Sequence, residues 1–226
     1  MAQRIIMTAI TVLFCASVYA TTDYTIGFAV DASTNSINSN GFTFTPSIQG
    51  NGSGTFEISE KVQINYIEVL FYGGSGVKDA VTSVNRSLAL FTSISTVAPE
   101  NVVSQAVGNI VLPWSNATAM GSSGTNTWIR YNFSGTGLVL DQDTKYVVAF
   151  IGSNGYALGS GANFQATGVR VTTNTYPGGA LLNSTPAEYT YYDTTFRANF
   201  TPVPEPATVS LLVLGTLTLL GRRNRK

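Results

Sequence analysis

Short runs rich in Val, Ile, Tyr, Phe and Thr alternate along this chain with clusters of Gly, Asn and Ser. Between its two ends no segment keeps a 3.6-residue apolar period. A helix that packs on a core needs that period, so the middle of the chain is expected to be all-β. Expected strands are Tyr24–Val30, Phe42–Phe44 after an Asn35–Gly41 loop, Thr55–Ile58 after the Gly50–Gly54 turn, Leu88–Phe91, Trp128–Phe133, Tyr146–Ile151, Val169–Thr172, Tyr189–Tyr192 and Phe196–Phe200. Ser93 to Val103, with Pro99, reads as an extended loop.

Two strands say more. Tyr146–Ile151 is apolar at every position, which fits a central strand covered on both faces. From Val62 onward, Val62, Ile64 and Tyr66 share one face but Ile67, Val69 and Phe71 share the other. That phase slip requires either a bulge near Tyr66 or burial on both sides. The core is expected to centre on Val69, Phe71, Tyr146, Val148 and Phe150. Ten or so short strands in about 180 residues fit one domain, an antiparallel β-sandwich of jelly-roll-like form.

Composition removes most chemistry. The 226 residues include no histidine and one cysteine, Cys15. A Ser-His-Asp triad, a cysteine nucleophile in the domain, an imidazole or thiolate zinc site and a disulfide are therefore excluded. No cofactor is implied and no metal site is assigned. Residues 21–203 carry seven Lys and Arg against eleven Asp and Glu, a mildly acidic balance that argues against nucleic acid.

The two ends read differently from the middle. Arg4 precedes an apolar stretch from Ile5 to Val18, and Val18-Tyr19-Ala20 supplies small or branched residues where a signal peptidase reads, so residues 1–20 are expected to be a signal peptide helix cut after Ala20. Phe14 before Cys15 does not suit lipidation. At the other end, Val203-Pro204-Glu205-Pro206 leads into an apolar run from Ala207 to Gly221 and then Arg222, Arg223, Asn224, Arg225 and Lys226. The prolines hold the tetrapeptide out of a helix. The fifteen residues that follow, at about 1.5 Å each, span roughly 22 Å as a helix, short of the ~30 Å hydrocarbon core, and the basic end favours the cytoplasmic side. The expected division is 1–20 signal peptide, 21–202 sandwich domain and 203–226 tail.

This motif, short transmembrane segment and basic end, in that order, closely resemble the PEP-CTERM sorting signal of Gram-negative bacteria. The resemblance implies recognition and cleavage near the motif by an exosortase-type enzyme, a transient inner-membrane intermediate, and delivery to the envelope, cell surface or extracellular matrix, in a setting of exopolysaccharide production. Between the ends, Ile67-Glu68-Val69, Ser87 to Thr92 with Ala98-Pro99-Glu100, and Tyr131 to Leu140 leading into Asp143 to Val148 resemble the choice-of-anchor R type of β-sandwich domain. That family defines no catalytic residues, so it implies a non-enzymatic domain on an exported protein.

Three sets of residues are candidates for binding or chemistry. Trp128, Arg130 and Asn132 project from one face of an expected strand, and a flat indole beside hydrogen-bonding groups suits a pyranose ring; Trp114 is a second platform in a loop. Large aromatics also serve as core and sheet cover. Asp141 and Asp143 offer two carboxylates to a hard cation, but read equally as a turn. Glu57, Glu60 and Glu68 could supply a glycosidase pair only if two of them converge. Asn-x-Ser/Thr sequons begin at Asn51, Asn85, Asn116, Asn132, Asn183 and Asn199, as chance allows in a chain of this composition. The expectation is an exported, surface- or matrix-associated protein, with a carbohydrate-binding module as the alternative and a carboxylate-based glycan-active enzyme third.

Overall fold

The computed structural model describes residues 23–28, 31, 33, 35–48, 61–72, 86–93, 101–123, 126–152, 166–173, 176–182, 188–189 and 191–203. The expected signal peptide with Ala20, the strand Thr55–Ile58, and the tail from Pro204 to Lys226 lie outside the described residues. Among the described residues no helix is long and apolar enough to cross a membrane.

The strands are β1 (Tyr24–Gly27), β2 (Asn35–Ser39), β3 (Gly41–Phe44), β4 (Lys61–Tyr72), β5 (Ser87–Phe91), β6 (Val111–Leu112), β7 (Thr118–Ser123), β8 (Asn126–Asn132), β9 (Val139–Asp141), β10 (Tyr146–Ile151), β11 (Ala166–Thr173), β12 (Leu181–Leu182), β13 (Glu188–Tyr189), β14 (Tyr192–Thr194) and β15 (Phe196–Pro202). Among the described residues they form two antiparallel sheets. The larger is built around β4, with β15 and then β1 along one edge, β8 and β9 along the other, β7 outside β8, and β11 joining β4, β2 and β14. The smaller runs β13-β12-β3-β10-β5-β6.

A bulge resolves the phase slip in β4. Along β15, Ala198 faces Ile67 and Asn199 faces Tyr66, but Phe200 faces Ile64, so Asn65 is the extra residue. Asn65 turns its amide to Asn199 and Thr201, 2.8 and 2.9 Å away. The slip brings Val62 and Ile64 onto the same face as Ile67, Val69 and Phe71, all fully buried. Beyond the bulge the opposite face is covered too, at Glu68 and Leu70. Both readings of the slip therefore hold, each on its own stretch of strand.

The sheets pack face to face through aromatic side chains. Phe196 of β15 meets Phe42 at 4.6 Å and Tyr176 edge-on at 5.1 Å, while Phe71 of β4 meets Phe150 of β10 at 6.0 Å. Val148 lies at the centre of β10 and is fully buried. Gly41 sits where only glycine fits: a Cβ there would lie 1.8 Å from the Val148 carbonyl oxygen. The buried phenols are anchored by donating to backbone carbonyls, Tyr131 to Arg86 at 2.9 Å and Tyr176 to Thr45 at 3.0 Å, and burial raises the pKa of both.

Two segments differ from the sequence expectation. Asn35–Ser39, read as loop, is β2, because Ile37 and its neighbours pair with β11 at the sheet margin. Val102–Gln105 forms a short helix, α1, whose first two residues end the stretch Ser93–Val103 that was expected to be extended loop. Its cap makes no side-chain hydrogen bond. A four-residue helix has no stability of its own, and this one is held by docking Val102 and Ala106 on the outer face of the smaller sheet.

Candidate functional site

The outer face of the larger sheet is built by alternation. After the bulge, Tyr66, Glu68, Leu70 and Tyr72 of β4 point away from the core, and register places Arg130 of β8 and Arg197 of β15 on either side of Glu68. Both oxygens of Glu68 are engaged. Oε1 accepts from Arg130 Nε at 2.8 Å and lies 2.6 Å from its Nη2, while Oε2 lies 2.6 Å from Arg197 Nε, an ion contact rather than an aligned hydrogen bond. The Glu68 side chain is 2% exposed, those of Arg130 and Arg197 30% and 26%.

Each guanidinium also rests on an aromatic ring. Arg130 lies 3.9 Å above the Tyr66 ring centroid and Arg197 lies 4.0 Å above Trp128. Arg170 of β11 reaches 5.8 Å from the ring of Tyr72, which is 55% exposed. At that end Asn126 donates to Asp31 at 2.6 Å. Burial pushes the Asp31 carboxyl up, but hydrogen bonds from Ser33 and Asn126 and the Arg170 charge outweigh it, so the group lies below its ordinary value.

The structure thus brings Trp128, Arg130 and Asn132 onto one face, with Trp128 6% exposed and one side of its indole taken by Arg197. The exposed Asn132 accepts from the Ser134 amide at 2.9 Å. Trp114 is elsewhere, in a 3-10 turn (Trp114–Asn116), packed on the core with its ring 6.4 Å from that of Tyr131. Glu57 and Glu60 lie outside the described residues. Asp141 pairs with Lys61 at 3.4 Å, and among the described residues no three His, Cys, Asp or Glu gather as metal ligands. On the smaller sheet, Thr92, Ser93, Lys145, Val147 and Glu188 line a shallow open depression of about 590 Å3, spanned by a Lys145–Glu188 ion pair at 2.9 Å.

Sequence reading singled out Arg130, and Glu68 as one of three candidate acids, but neither Arg197 nor the meeting of the three. Glu68 carried a signal, being an acid in the middle of an otherwise apolar strand, and so did Arg197, inside the alternation Phe196-Arg197-Ala198-Asn199-Phe200. Their meeting depends on register across three strands, which no local pattern encodes.

A second functional element begins at the end of β15. β15 is an interior strand, held by β1 on one side and β4 on the other, and its last residue, Pro202, pairs with Val62. Val203 then donates its amide to the Lys61 carbonyl at 2.9 Å. Residues 202–226 match the PEP-CTERM protein-sorting motif. No curated protein and no solved structure matches the chain. The PEP-CTERM match implies export, a membrane-anchored intermediate and processing by an exosortase-type partner. It overlaps the last paired residue of the sandwich, so the ladder runs to Pro202, and Val203, one residue before Pro204, is still tied to β4 by a backbone hydrogen bond.

Proposed function

We propose that this chain is an exported, non-enzymatic β-sandwich protein that an exosortase-type enzyme releases from a membrane intermediate by cutting beyond Val203, and that it then resides at the cell surface or in an exopolysaccharide matrix. The observation that carries the reading is the junction: the sorting motif starts where an interior strand ends. β15 contributes Phe196 and Phe200 to the core, so a cut upstream of Pro202 would require opening the domain. Immediately downstream, Pro204 and Pro206 lack the amide donors needed to extend the ladder. The signal peptide expected over residues 1–20, with signal peptidase as its partner, and the resemblance to choice-of-anchor R domains of jelly-roll-like form, support the same reading.

Replacing Pro204, Glu205 and Pro206 together by alanine, in a host with the matching exosortase, tests it. The variant should accumulate in the membrane fraction with its tail attached while the parent chain is released. Equal release of the two would refute the proposed role of the motif.

A further inference from the structure

The outer face of the larger sheet is a costly way to cover β4. Exchanging a buried ion triad for apolar residues of similar size is often neutral or stabilising, so Arg130, Glu68 and Arg197 are not explained by stability alone. The trio is also oriented outward. Glu68 is buried beneath the two guanidiniums and takes Nε and Nη2 of Arg130, leaving Nη1 outside the pairing. Tyr66 and Trp128 hold the two planes by stacking, which fixes their direction before any ligand arrives.

Charge favours an anionic ligand in this row. Arg130 and Arg197 stand against the single carboxylate of Glu68, a local excess of one positive charge in a sequence stretch, residues 21–203, that is mildly acidic. That local excess complements an anion. The guanidinium fork matches a carboxylate in geometry as well as charge. The row of Arg130, Glu68 and Arg197 crosses three strands, about 10 Å at the usual strand spacing, and is flanked by Asn132 and Tyr66 in the next row. A flat face of that width suits an extended polymer rather than an enclosed small molecule.

We infer that this face binds an acidic polysaccharide, with uronate carboxylates on Arg130 and Arg197 and sugar hydroxyls on the neighbouring Asn132 and Tyr66. The choice of a polysaccharide rests on the exported reading. The face itself is tested in isolation, so its failure and the failure of sorting are separate results.

The full chain, purified in a nonionic detergent, is passed over immobilised polygalacturonate and over its fully methyl-esterified, neutral counterpart. It should be retained by the acid polymer, elute with salt, and pass through the ester. Free galacturonate at matched carboxylate concentration should compete poorly, because a polymer engages several contacts at once. Arg130→Gln should bind about tenfold more weakly, the loss of one charge-assisted contact. Since that variant also leaves Glu68 short of a partner, Glu68→Gln is the control: it keeps both cations, should melt lower, and should bind the acid polymer more tightly than the parent chain. Equal retention on the two polymers, no retention on the acid form, full competition by the monomer, or a folded Glu68→Gln protein that binds no tighter would each overturn the inference.

Discussion

The two sheets treat their outer faces in opposite ways. On the smaller sheet Ala89, Phe91, Val147, Ala149, Ile151 and Leu182 turn outward, and Val102 and Ala106 of the segment between β5 and β6 dock on them, so both sides of that sheet are packed. On the larger sheet the outward residues beside β4 are arginines stacked on aromatic rings around a buried carboxylate, and the two arginine side chains there are 30% and 26% exposed. An apolar face must be covered at the cost of a dedicated segment; a face of stacked guanidiniums stays soluble uncovered and remains open to a partner. The first face is therefore read as structure and the second as a surface for recognition.

Substitutions can break that comparison. The largest effect is expected between the sheets, where Val148→Asp would bury an unpaired charge against Phe42 and Leu90, its partners in register; the domain should lose more than about 4 kcal/mol and be unfolded in a thermal melt. A Val148→Asp protein melting like the parent would refute the central position of β10. On the covered outer face, Phe91→Ala should cost about 3 kcal/mol, the usual range for a buried aromatic. On the open face, Tyr66→Ala should cost only about 1 kcal/mol, since it removes one stacking partner of a partly solvated arginine. Denaturant titration of the two variants checks the order. If Tyr66→Ala proved the more damaging, the open face would be structural and the comparison would collapse.

What was legible in the sequence follows from how local each signal is. β10 announced itself through six apolar residues in a row, and the β4 bulge through the shift of apolar positions from Ile64 to Ile67. All five residues expected at the centre of the core are buried. β2 was hidden because Asn35-Ser36-Ile37-Asn38-Ser39 has the composition of a turn and becomes a strand only by pairing with β11. α1 was hidden because nothing in Val102-Val103-Ser104-Gln105 favours a helix apart from the apolar surface it docks on. Trp128 and Arg130 were visible as residues of one face, but the cover over the indole comes from Arg197, a strand far away in sequence. The sorting tail was the most legible part of all, because its order of proline motif, apolar run and basic end is a linear pattern that needs no fold to be read.

The central claim is that an interior strand and a sorting motif meet at Val203, and that processing removes everything beyond the junction. Intact-mass measurement of the released protein, from a host with the matching exosortase, tests it most directly. The account predicts one chain that begins at Thr21, retains all of β15 and Val203, and lacks both the apolar run from Ala207 and the basic residues Arg222 to Lys226. A released chain still ending at Lys226, or one cut within β15, would contradict it.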